Sequence, residues 1–125
     1  MAKILVIDDD PMMLELYREI LTAKGHDVVI AENGIQGLAR TDRHPDLIVV
    51  DLMMPNLNGY EFVKQLRAVD GQAATPVIAA SGLSTGEWAL RTGADRFIRK
   101  PFRSNELIAL VDELLNAPRQ HPASA

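Results

Sequence analysis

At 125 residues, 47% of them hydrophobic, the chain has the size of one domain, and roughly two-thirds of its unfolded surface can be buried on folding. A formal charge of -4 argues against general nucleic-acid binding, and the lack of cysteine excludes a disulfide scaffold and thiolate chemistry. No apolar run approaches the roughly 20 residues that cross a bilayer, and Met1-Ala2-Lys3 leads into the chain without a signal-peptide cleavage pattern, so a cytoplasmic protein with no membrane partner is expected.

Ile4-Leu5-Val6-Ile7 reads as a first strand ending on Asp8 and Asp9. Asp10 can cap a helix with Pro11 at its first position, and Met13, Leu16, Tyr17 and Ile20 repeat at helical spacing before Gly25 stops it. Asp27 to Ala31 is the second strand. Asn33-Gly34 opens a helix carrying Ile35, Leu38 and Ala39 toward the core, and His44-Pro45 ends it. The third strand, Leu47-Ile48-Val49-Val50, stops at Asp51. A turn rich in breakers, Met54-Pro55-Asn56-Leu57-Asn58-Gly59, precedes a helix with Phe62, Val63, Leu66 and Val69 on one side. Pro76 leads the fourth strand, Val77-Ile78-Ala79-Ala80, which ends at Ser81. Ser84-Thr85-Gly86 opens a short, poorly patterned fourth helix over 87–92 that Gly93 terminates. Arg96 to Lys100 is the fifth strand, and Ser104 caps a final helix burying Leu107, Leu110, Val111 and Leu114. Residues 1–116 form the domain, and 117–125 read as a disordered tail or linker.

Apolar strands alternating with helices indicate an α/β fold, a doubly wound parallel sheet covered on both faces. Right-handed crossovers leave few topologies, and the flavodoxin-like order 2-1-3-4-5 is the one that sets the first and third strands side by side. Four strands then deliver a polar residue to the same carboxyl edge: Asp8 and Asp9, Asp51, Ser81 and Lys100. Carboxylates that close repel unless neutralised, so the arrangement implies a hard divalent cation and an anion facing Lys100.

The segments Ile4-Leu5-Val6-Ile7-Asp8-Asp9-Asp10, Asp51-Leu52-Met53-Met54-Pro55 with Gly59, Ser81, and Lys100-Pro101-Phe102 resemble the CheY-like receiver domain of bacterial two-component response regulators. The resemblance covers residues 3 to about 116. It implies that Asp51 is the phosphoacceptor, that Asp9 and Asp51 ligate Mg2+ directly, and that Asp8 reaches the metal through water. The backbone carbonyl of Met53 completes the set. Lys100 and Ser81 would each hold a phosphoryl oxygen, with Ser81 and Phe97 as the switch pair and Pro55, Gly59 and Pro101 as structural positions. The implied partners are a histidine kinase or histidine phosphotransfer protein and a downstream protein effector. Neither an oligomeric state nor a separate substrate follows, so no turnover beyond the protein's own phosphorylation and dephosphorylation is expected.

Each assignment has a plainer reading beside it. Asp10 serves as a helix cap and is left off the metal list, Asn58 and Gly59 are turn chemistry, and Phe97 can be an ordinary core ring. His26, His44 and His121 lie in loop-like or tail positions and offer no phosphohistidine. The stretch from Ser81 to Gly93 is about one helical turn shorter than in most receivers, so the fourth helix is expected to be shortened. Trp88 falls there, as a packing anchor or a partner-facing ring. Met53 and Leu83, both apolar, predict restricted water access and a long-lived phosphate. Two other classes stay open: a receiver-like module that binds its partner unphosphorylated, and a small aspartate-based phosphohydrolase using Asp8 and Asp10.

Overall fold

A computed structural model describes residues 1–82 and 93–117. Five parallel strands, β1 (Lys3–Ile7), β2 (Asp27–Ala31), β3 (Leu47–Asp51), β4 (Val77–Ser81) and β5 (Arg96–Arg99), form one sheet in the order β2-β1-β3-β4-β5. Among the described residues four α-helices accompany them: α1 (Pro11–Thr22), α2 (Gly34–Arg40), α3 (Gly59–Arg67) and α4 (Ser104–Asn116). The expected short helix over 87–92, with Trp88 and Leu83, lies outside the described residues. Among those residues no helix is long and apolar enough to cross a membrane.

Strand alternation divides the core in two. Ile4, Val6, Leu47, Val49, Ile78, Ala80 and Ile98 face α1 and α4, where Leu14, Tyr17, Leu21, Leu107, Val111 and Leu114 meet them. Leu5, Ile7, Ile48, Val50, Val77 and Ala79 face the other way, against Phe62, Val63 and Leu66 of α3 and Leu38 of α2. Burying each of these large aliphatic side chains contributes about 1.5–3 kcal/mol. The central strand β3 is apolar on both faces because helices cover both.

Several local expectations shift. On α1 the buried stripe is Leu14, Tyr17 and Leu21, whereas Leu16 is 40% exposed and Met13 and Ile20 are half-buried. The helix carries apolar pairs at 13–14, 16–17 and 20–21, which make two overlapping stripes, and the Asp10 cap on Met12 N–H sets which one faces the sheet. On α2, Ile35 and Ala39 are exposed and the helix turns Gly34 and Gly37 inward instead. It lies so close to the sheet that a Cβ on Gly37 would sit 2.4 Å from Ile7 Cδ1. Helix α4 begins at Ser104 with Arg103 as its cap residue, because the Glu106 carboxylate accepts the Arg103 N–H at 3.1 Å.

Candidate functional site at the carboxyl edge of the sheet

Strands β1, β3, β4 and β5 place Asp8, Asp51, Ser81 and Lys100 on one edge. Asp8 follows β1, is fully buried, and is held on both oxygens: Oδ1 accepts the Asp10 N–H at 2.9 Å and Oδ2 accepts Lys100 Nζ at 2.7 Å. Asp51 ends β3 and is 6% exposed. Its Oδ1 accepts the Met53 N–H at 3.3 Å, and its Oδ2 lies 3.4 Å from the same Lys100 ammonium. Asp9 is exposed at the rim, and one oxygen from each of Asp8, Asp9 and Asp51 lies within 4.8 Å of the other two.

The local chain explains why these groups meet. Register pairs β1 with β3 and β3 with β4, so the residues that follow the strands emerge side by side. The Leu52 N–H donates to Ala80 O and the Lys100 N–H to Ser81 O, which ties the ends of β3, β4 and β5 together. The Lys100-Pro101 peptide is cis. Beyond Asp51, Asn56 takes a left-handed conformation and Asn58 caps α3 by accepting the Glu61 N–H at 2.9 Å. Gly59 then comes so near the end of β3 that a Cβ would lie 2.6 Å from Asp51 O and 2.7 Å from Leu52 Cα, backbone atoms that cannot yield. Pro55 and Met53 are exposed on this turn.

Charge does not balance at the edge. Three carboxylates face one ammonium, leaving an excess of negative charge beside a buried pair. Burial raises the Asp51 carboxyl above its usual range; Lys100 pulls it back and Asp8 pushes it up again. Burial works against the Lys100 ammonium, yet its bond to Asp8 and the charges of Asp8 and Asp51 leave its pKa raised. Both statements describe one fact: the ammonium is held by the carboxylates and does not fully compensate them. A set of hard carboxylate oxygens, open to solvent on the Asp9 side and short of positive charge, suits Mg2+, which is commonly held by a few carboxylates while keeping several waters.

Asp10 stands apart from the converging trio, its Oδ1 accepting the Met12 N–H as the α1 cap. Ser81 is fully buried at the end of β4, and strand alternation gives it the face of Ala79, which pairs with Phe97. Phe97 is half-buried against the α2 and α3 side of the core. Sequence reasoning took Tyr17 only as a core residue. The structure buries it to 1% on the same sheet face as Asp8, Asp51 and Lys100 and leaves its hydroxyl without a hydrogen-bond partner. Spacing alone could mark its burial but not the state of its hydroxyl.

Residues 4–112 match the family model of the response regulator receiver domain. The DNA-binding response regulator MtrA of Mycolicibacterium smegmatis is 35% identical over 122 residues, which cover 97% of this chain and 54% of that protein. The transcriptional regulatory protein CpxR of Klebsiella pneumoniae is 36% identical over 115 residues, 92% of this chain and 50% of that protein. The chain thus spans about half the length of these curated relatives. Among solved structures, the chemotaxis protein CheY4 of Vibrio cholerae superposes with a TM-score of 0.86 at 28% identity, covering 91% of this chain and 98% of that one. The receiver domain of the sensor histidine kinase PA1611 of Pseudomonas aeruginosa, described with a magnesium ion coordinated in its active-site cleft, gives a TM-score of 0.86 at 26% identity, covering 93% and 98%.

Proposed function

The chain belongs to the response regulator receiver family and is a receiver of the two-component phosphorelay; from that premise we propose that Asp51 is its phosphoacceptor, with Lys100, Ser81, Asp8 and Asp9 as the groups that serve it. The observation that carries this reading is the single ammonium of Lys100 bridging Asp8 at 2.7 Å and Asp51 at 3.4 Å at the edge where Asp9 also converges.

The Asp51 carboxylate is the nucleophile. One of its oxygens attacks phosphorus, an O–P bond forms, and the bond to the donor breaks, either the N–P bond of a phosphohistidine or the O–P bond of a small acyl phosphate. Burial favours the step, because a poorly solvated carboxylate loses little water on approach and its neighbouring charges act at low dielectric. Phosphoryl transfer is mostly positioning and charge stabilisation. The Lys100 ammonium supplies part of that charge by turning from the carboxylates to a phosphoryl oxygen, and the Ser81 hydroxyl is assigned another. Asp9, Asp51 and the Met53 carbonyl would hold Mg2+ directly and Asp8 through water, and the bound cation would supply the remaining positive charge. Hydrolysis reverses the covalent change: water attacks phosphorus, inorganic phosphate leaves, and the Asp51 carboxylate returns. Output is assigned to Ser81 and Phe97, whose shared face lets a shift of the hydroxyl toward the phosphate reach the α3 side of the core. A histidine kinase or phosphotransfer protein upstream and a protein effector downstream complete the reading.

Intact-protein mass after incubation with acetyl phosphate tests it. One Mg2+-dependent phosphate adduct is expected on the wild type and none on Asp51→Asn. An adduct that survives the substitution would move the acceptor elsewhere, and no adduct under any condition would leave a module that binds unphosphorylated.

A further inference from the structure

Two helix starts, not one, grip the turn that carries Met53. The chain from Leu52 to Gly59 closes on itself where the Gly59 N–H donates to Leu52 O at 3.2 Å, and Gly59 sets the start of α3 against the end of β3. The second grip comes from α2. A Cβ on Gly34, the first residue of that helix, would lie 2.7 Å from Leu57 O and 3.0 Å from both Leu57 Cβ and Leu57 Cδ2. Leu57 O is a backbone atom, and ordinary contact with a Cβ begins at 3.4 Å, so α2 and the turn meet this closely only where the helix has no side chain. Gly34 is not among the left-handed glycines, which makes the requirement one of space and not of backbone conformation.

Helix α2 has no room to retreat. The Asp8 N–H donates to Ala31 O at 3.1 Å, which ties the chain entering the helix to the site, and the Asn33 side chain accepts the Gln36 N–H at 2.8 Å while the Gln36 side chain accepts the Glu32 N–H at 3.0 Å. One turn further on, Gly37 lies hard against Ile7. The looser side is the turn, where Met53, Pro55 and Asn56 are exposed, so a push at Leu57 is taken up along it toward Met53. Met53 has little to spare. Its N–H reaches Asp51 Oδ1 at 3.3 Å, already long for a hydrogen bond, and Mg2+ accepts ligands only near about 2.0–2.1 Å in almost ideal octahedral geometry. Opening the Gly34 contact from 2.7 to 3.4 Å is a displacement of about 0.7 Å, more than the roughly 0.5 Å within which a working site must be held.

We propose that Gly34 is a positioning residue for the metal side of the acceptor site: the space left by its missing side chain seats Leu57 against α2 and so fixes the turn that presents the Met53 carbonyl to Mg2+ and the Met53 N–H to Asp51. Helix α2 lends no group to the site and acts through the backbone of the turn alone. The inference rests on the reading that Met53 lends its carbonyl to a metal beside Asp51, and deepens it.

Calorimetric titration of the full chain with Mg2+ tests it, with Gly37→Ala as the control. Gly34→Ala should bind Mg2+ about 10- to 100-fold more weakly than the wild type, the usual cost of disturbing the groups that orient metal ligands. Gly37→Ala crowds the same helix, but against the end of the Ile7 side chain, so it should melt lower and bind Mg2+ as the wild type does. Leu57→Ala adds no atom and removes the side chain that rests on Gly34; it should weaken Mg2+ in the same direction, and it decides the matter if Gly34→Ala does not fold. In the acetyl phosphate assay the deficit of Gly34→Ala should disappear at saturating Mg2+. Wild-type affinity in Gly34→Ala, or in Leu57→Ala where that variant decides, an equal loss in Gly37→Ala, or a deficit that persists at saturating Mg2+ would each overturn the proposal. A wild type that binds Mg2+ with this dependence on Gly34 yet takes up no phosphate would refute the acceptor assignment and leave the positioning role standing, whereas a wild type that binds no Mg2+ would overturn both.

Discussion

Replacing Lys100 by methionine should change two properties of the site in opposite directions. The ammonium bonds Asp8 Oδ2 at 2.7 Å and stands 3.4 Å from Asp51 Oδ2, with 20% of its side chain exposed. It therefore occupies the same negative charge that a divalent cation needs. A hydrogen bond between charged groups contributes about 1.5–3 kcal/mol, and 1.36 kcal/mol is one decade, so freeing the carboxylates should tighten Mg2+ binding by about 10- to 100-fold. Phosphoryl uptake should fall, because removing one preorganised donor to the transferring oxygens costs about 100- to 1,000-fold.

Without metal, the same variant leaves Asp8 and Asp51 buried and uncompensated, a loss on the order of 3–5 kcal/mol. Added Mg2+ should then raise its melting temperature more than it raises that of the wild type, since a ligand that binds only the folded state stabilises in proportion to the logarithm of its affinity. Isothermal titration calorimetry with Mg2+, a thermal melt with and without it, and the acetyl phosphate mass assay test all three effects. Equal or weaker Mg2+ binding in Lys100→Met would refute the competition between ammonium and metal. Undiminished uptake would remove Lys100 from the transfer.

Asp51→Asn should be more stable than the wild type at pH 7. The Asp51 carboxyl is raised above its ordinary 3.8, so the folded state keeps a proton that the unfolded chain has already lost; stability falls as pH rises through that window and stays low above it. The advantage of asparagine should shrink as pH is lowered toward about 4, as melts across pH would show, and a pH-independent difference would contradict it. At the opposite edge, Arg67 donates to Thr75 O at 2.6 Å, Gly93 O at 2.7 Å and Gln72 O at 3.3 Å, and pairs with buried Asp95 at 3.3 Å. Arg67→Ala should cost about 3–5 kcal/mol and lower the melting temperature by about 10–20 °C, while phosphate uptake well below that melt stays near wild type. A melt shifted by only a few degrees would mean that solvent replaces those bonds.

What could be read from the chain alone was whatever alternation and strand ends determine. Val6 to Asp8, Val49 to Asp51 and Ile98 to Lys100 are each a step of two along a strand, so a parallel sheet in the order 2-1-3-4-5 obliges the three side chains to share a face and an edge. Helix faces were harder, because pattern reports how many apolar residues a helix has but not its distance from the sheet. Ile35 looked like the inward residue of α2 until the close approach at Gly37 and Ile7 turned the glycine stripe to the core. Polar satisfaction was out of reach altogether: whether Asp8 or Asp51 holds the lysine more tightly, and whether a buried phenol has a partner, are settled by differences of an ångström. The resting preference of Lys100 for Asp8 over Asp51 is such a difference, and it leaves Asp51 the less neutralised of the two buried acids. A carboxylate held that way is the readier of the two for an electrophile, as the proposed transfer to Asp51 requires.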